Sequence, residues 1–119
     1  MKTRVLFVDD EPHVLQSLKR TLHQEPFELY FSQSPEDALK VLEEVRVDIV
    51  VSDEQMPAMS GSQLLSIVQE KYLDTVRIIL TGHASLDAAM QAINQGRISH
   101  YLTKPCRAEN LKQVLHEAH

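Results

Sequence analysis

The run Ile49-Val50-Val51 halts at Ser52-Asp53-Glu54-Gln55, and Pro57 forbids its continuation as a central strand. Three successive β-branched residues without polar alternation describe a strand buried on both faces, so packed layers must lie on either side of a sheet. Two more runs behave alike: Arg4 to Val8 stops at Asp9-Asp10, and Ile78-Ile79-Leu80 stops at Thr81-Gly82. Phe27, Leu29 and Phe31 alternate with polar neighbours, and His100-Tyr101-Leu102 is short, as suits strands at sheet edges.

Helical patterns fill the intervals. Pro12 suits a first helical turn, and Val14, Leu15, Leu18 and Leu22 form one apolar stripe through about residue 23. Ser34-Pro35-Glu36-Asp37 combines a cap, a first-position proline and acids facing the helix dipole; Ala38, Leu39, Leu42 and Val45 continue that helix. Ser60 caps a third helix carrying Leu64, Leu65 and Val68. Ser85 caps a fourth, with Asp87 and Ala88 in its first turn, Ala89 and Ile93 on its buried side, and Gly96 at its end. Leu111, Val114 and Leu115 mark the last. Five strands alternating with five helices predict a parallel α/β sheet covered on both faces, its first, third and fourth strands central.

At 119 residues, 43% hydrophobic and 24% charged, the chain reads as one globular domain over residues 1–119. A formal charge of −5 argues against a grip on nucleic-acid phosphates. The lack of a long apolar run or signal peptide points to no membrane role and a cytoplasmic protein. Cys106, the single cysteine, has no partner for an internal disulfide and reads as a small, partly buried side chain.

Chemistry gathers where the strands end, which is where open α/β sheets hold their ligands. Asp9, Asp10, Asp53 and Thr81 terminate the central strands, and Lys104 follows the last. Each has an ordinary reading: acids capping a helix, a threonine suited to a strand, a solvated lysine. Together they suit phosphoryl transfer, with Asp53 as the carboxylate nucleophile. Clustered acids repel unless a cation joins them, and Mg²⁺ prefers such oxygen ligands. Lys104 would neutralise one phosphoryl oxygen and Thr81 would donate to another.

The chain closely resembles the receiver domain of two-component response regulators. The resemblance spans essentially all residues and rests on Val8-Asp9-Asp10-Glu11-Pro12, Asp53 with Met56-Pro57 and Met59-Ser60-Gly61, Leu80-Thr81-Gly82, and Tyr101-Leu102-Thr103-Lys104-Pro105. It implies a doubly wound (βα)5 flavodoxin-like sheet of order 2-1-3-4-5. It implies phosphorylation of Asp53 by a sensor histidine kinase, with Mg²⁺ bound directly by Asp10 and Asp53. Asp9 would act on the metal through water, and the Gln55 backbone carbonyl would complete the protein ligands. Thr81 and Lys104 would hold the phosphoryl group, and Thr81 and Tyr101 would form the switch pair. Gln55 and His83 would tune phosphoryl lifetime, and the Lys104-Pro105 bond would be cis.

Gly96-Arg97-Ile98-Ser99-His100-Tyr101 departs from the family pattern, being one residue longer before the tyrosine and lacking the alanine after the glycine. With Thr81-Gly82-His83-Ala84 and Thr103-Lys104-Pro105-Cys106, this resembles receivers joined to phosphodiesterase-type HD domains. The expectation is a signalling switch, not an enzyme acting on a separate metabolite. It would control a C-terminal effector, and a homodimer stays open. The alternative is an aspartyl-phosphate phosphatase of similar fold, but such sites need a second acid two residues after the nucleophile, where Gln55 stands. A degenerate receiver serving only protein interaction is a third reading, disfavoured by the complete acid, threonine and lysine set.

Overall fold

The computed structural model describes residues 2–82, 93, 98–103 and 107–118. Its strands are β1 (Thr3–Val8), β2 (Phe27–Ser32), β3 (Ile49–Ser52), β4 (Val76–Thr81) and β5 (His100–Thr103). The described helices are α1 (Pro12–Leu22), α2 (Pro35–Glu44), α3 (Gly61–Lys71) and α4 (Ala108–Ala118). The five strands form one parallel sheet in the order β2-β1-β3-β4-β5, the flavodoxin-like doubly wound arrangement. The helix expected from Ser85 to Gly96 lies outside the described residues, apart from Ile93.

Alternate residues of each central strand enter different cores, which is why these strands carry no polar alternation. Leu6, Val8, Val50 and Ile79 pack with Ala38 and Leu42 of α2 and Leu64, Leu65 and Val68 of α3. Val5, Phe7, Ile49, Val51, Ile78 and Leu80 pack with Leu15 and Leu22 of α1 and Leu111 and Leu115 of α4. Full burial of a side chain such as Leu64 or Leu65 contributes about 1.5–3 kcal/mol. Val45 departs from its expected helical place: α2 ends at Glu44, and Val45 turns extended at φ −131° and ψ 135°. There its N–H still donates to the Val41 carbonyl while its side chain packs on the α2–α3 core, so the apolar spacing reflects the core and not helix length. Ile93 is 42% exposed, against the buried place expected for it; isolated aliphatic groups at the surface are ordinary, because polar groups cannot cover a whole protein.

The base of the sheet is stitched by backbone and side chain together. The Arg4 N–H donates to Asp48 Oδ2 at 2.8 Å, and the Asp48 N–H donates to the Arg4 carbonyl at 2.9 Å. The Val76 N–H donates to the Asp48 carbonyl at 2.9 Å, and the buried Thr75 hydroxyl donates to the Val47 carbonyl at 2.9 Å. Neighbouring β1, β3 and β4 are thereby aligned before they begin. The two residues just before β5 are anchored similarly: Ile98 is buried in the α2–α3 core, and the Arg77 N–H donates to Ser99 Oγ at 3.3 Å.

Of the three expected serine caps, Ser34 and Ser60 are present, and Ser85 lies outside the described residues. Ser34 Oγ accepts from the Asp37 N–H at 3.1 Å. Ser60 Oγ accepts from the Gln63 N–H at 3.1 Å, and Gln63 Oε1 accepts from the Ser60 N–H at 2.9 Å, a reciprocal capping box. Ser34→Ala and Ser60→Ala should each destabilise the fold by about 1 kcal/mol in urea titrations. The Ser60 variant is expected to cost more, because it breaks one half of the box.

Candidate functional site: an acidic cluster at the strand ends

Hydrogen bonding between strands continues one residue beyond β1 and β3. The Asp9 N–H donates to the Ser32 carbonyl at 3.1 Å, and the Asp53 N–H donates to the Val8 carbonyl at 2.9 Å. The backbone of both acids is therefore placed by the sheet. Asp9, Asp10 and Asp53 converge there, with one carboxylate oxygen from each lying within 4.8 Å of the others. Asp9 is only 4% exposed and Asp10 half-buried. Asp9 does not cap α1, whose N-cap is Glu11 without a side-chain cap bond; its Oδ1 accepts from the Glu11 N–H at 2.9 Å in a turn just ahead of the helix. The donor set is all oxygen and anionic, which fits a hard divalent cation and offers nothing to a thiophilic one.

The loop from Asp53 to α3 is held to the core by Met56 and Met59, both packed on the α2–α3 cluster. Between them the Met59 N–H donates to the Pro57 carbonyl at 2.8 Å, closing a three-residue turn centred on Ala58. Ala58 has φ 70°, the costly left-handed region for a residue with a Cβ. Farther on, Gly61 begins α3 directly against the acidic segment. Its N–H donates to the Glu54 carbonyl at 2.9 Å, and a Cβ there would strike the Asp53 carbonyl oxygen and come within 3.0 Å of Glu54 Cα. Only glycine permits that approach. Ser52 Oγ, fully buried, donates to the same Asp53 carbonyl at 2.9 Å.

Glu54 turns onto α3. Its Oε1 accepts from the Ser62 N–H at 2.8 Å, and its Oε2 accepts from the Ser62 hydroxyl. Sequence reading missed this attachment and the steric role of Gly61. The signal available was a glycine in the first turn after a serine cap, where backbone contact is the usual reason to forgo a better helix former.

The Thr81 backbone ends β4 level with Thr103 of β5. Tyr101 lies on β5, half-buried against the α2–α3 core. Burial pushes its hydroxyl pKa above the usual tyrosine value, and the Glu54 charge adds to the effect. Gln55 is exposed in the loop after Asp53. His83, Lys104, Pro105 and Cys106, with the expected cis bond, lie outside the described residues.

A family model of the response regulator receiver domain matches residues 5–116. The chain belongs to this family. It is 37% identical over 114 residues to the transcriptional regulatory protein GlrR of Escherichia coli K12, covering 96% of this chain and 26% of that protein. It thus spans about a quarter of that relative's length. Among solved structures, the signal receiver domain of an HD domain-containing protein from Pseudomonas fluorescens Pf-5 superposes with a TM-score of 0.93 at 36% identity, covering 99% of this chain and 94% of that one. The chemotaxis protein CheY4 of Vibrio cholerae gives 0.92 at 26% identity, with both chains fully covered. No described helix is long and apolar enough to cross a membrane.

The turn at Ala58 generates a stability prediction. Ala58→Gly should relieve the left-handed strain of about 1–2 kcal/mol, less the entropy glycine loses on folding, and raise stability by about 1 kcal/mol. A higher urea midpoint at constant slope would register the gain.

Proposed function

We propose that residues 1–119 act as one receiver domain whose Asp53 accepts a phosphoryl group from the phosphohistidine of a sensor kinase. A carboxylate oxygen of Asp53 attacks phosphorus, the bond from phosphorus to the imidazole nitrogen breaks, and the released histidine takes up a proton. Convergence of Asp9, Asp10 and Asp53 at adjoining strand ends carries this reading. Asp10 and Asp53 would hold Mg²⁺ directly, Asp9 through water, and the Gln55 carbonyl would complete the set. When bound, the cation neutralises charge on the carboxylates and phosphoryl oxygens.

This chain's other residues have distinct tasks in the proposal. Thr81 and Lys104 bind the phosphoryl oxygens, and Thr81 with Tyr101 relays the change to the surface beside β5. Gln55 and His83 flank the phosphoryl group and govern the approach of water. The output would be an effector on the same polypeptide. An HD domain is the favoured type, supported by the likeness to the receiver of an HD domain-containing protein. The phosphatase alternative gains nothing from Glu54, the nearest additional acid, whose carboxylate is engaged by Ser62.

Acetyl phosphate with Mg²⁺ should add one base- and hydroxylamine-labile phosphoryl group, read by intact-mass spectrometry. Asp53→Asn should abolish it, and undiminished labelling in that variant would move the nucleophile elsewhere. Cation binding is tested separately by thermal unfolding. At a hundredfold excess over Kd, Mg²⁺ should stabilise the wild type by about 2.7 kcal/mol. Asp10→Asn should lose most of that gain while the metal-free fold gains from relief of charge repulsion. Equal shifts in both proteins would reduce Asp10 to a capping acid.

A further inference from the structure

Glu54 is adjacent to the proposed nucleophile, yet its carboxylate does not join the acidic cluster. It is clamped across the first turn of α3, accepting from both the N–H and the hydroxyl of Ser62. Its own carbonyl accepts from the Gly61 N–H at 2.9 Å, so main chain and side chain of one residue grip two successive helical residues. On the other side of Asp53, the β3 register, the Val8 carbonyl and the Ser52 hydroxyl fix the backbone. After Glu54 the chain enters an exposed stretch, Gln55 to Ala58, anchored by Met56. Glu54 is therefore where the rigid sheet passes the loop to the rigid helix.

We propose that Glu54 is a positioning residue for Asp53: its clamp on Ser62 holds the segment carrying the nucleophile and the Gln55 carbonyl in the geometry that cation binding and in-line transfer require. The inference rests on the phosphoacceptor reading of Asp53. Its chemical logic is pre-organisation, because small displacements of a reacting group are costly even when every reacting group is retained. The energy of the clamp comes from charge-assisted hydrogen bonds at a helix N-terminus, where a carboxylate is favoured. The clamp thus joins the acceptor loop to α3.

Substitutions separate geometry from charge. Glutamine can accept from the Ser62 N–H and donate to its hydroxyl, so Glu54→Gln keeps both attachments without the charge. Glu54→Ala removes both, and Ser62→Ala removes one. Glu54→Ala should slow labelling by acetyl phosphate about tenfold and weaken Mg²⁺ binding, measured by calorimetry without phosphodonor, by several-fold. Glu54→Gln should restore most of both properties, with Ser62→Ala in between. Wild-type labelling and Mg²⁺ affinity in Glu54→Ala would overturn the clamp, as would failure of Glu54→Gln to rescue either property. Should Glu54→Ala not fold, Ser62→Ala decides by the same two measurements, and wild-type values there overturn the clamp. Labelling that persists in Asp53→Asn would instead defeat the underlying reading and leave the clamp's effect on Mg²⁺ affinity to be judged alone.

Discussion

Repulsion among three carboxylates is the cost around which the carboxyl end of this sheet is built. With oxygens of Asp9, Asp10 and Asp53 inside 4.8 Å of one another, each charge opposes the others until something positive intervenes. The fold withstands this because the acids are placed by backbone that has no alternative. Two of them continue the hydrogen-bond ladder of a sheet whose central strands are apolar on both faces. Moving either acid outward would break ladder bonds at a level where Ser32 and Ser52 are themselves buried. Instability at one end is thus carried by the packed layers beneath it.

This arrangement explains why so much of the fold could be read from residues alone. Ile49-Val50-Val51 and Ile78-Ile79-Leu80 are apolar on both faces because each alternate side chain enters a different core, and that pattern by itself implies layers on both sides. Ser34 and Ser60 were legible as caps because hydroxyl, proline or glycine, and following polar residue form local motifs. The acidic cluster was legible because strand ends in a parallel sheet face one way. That geometry turns separate loop residues into neighbours.

What escaped reading depended on contacts between segments that no local pattern encodes. The spacing that placed Val45 on a helix is kept, but its backbone has already turned toward β3, since a core position can be filled from a strand-like conformation as well as a helical one. Gly61 looked like part of a family motif, whereas its requirement is steric, set by a carbonyl eight residues earlier. Glu54 has no partner that a local pattern would reveal, and only the start of α3 gives it two donors. Ala58 offered no warning at all, because alanine is not a residue that advertises a left-handed turn.

The stitching at the opposite end of the sheet has a separate consequence. Asp48 bonds to Arg4 and to the start of β4 through its side chain, its N–H and its carbonyl, so strand alignment is settled far from the acids. Register is therefore not left to the reacting end alone. Exposed positions there that touch neither ladder nor core, such as Gln55, can change without endangering the assembly below. A lineage can therefore alter how long a signal persists, or which neighbour hears it, while inheriting its architecture intact.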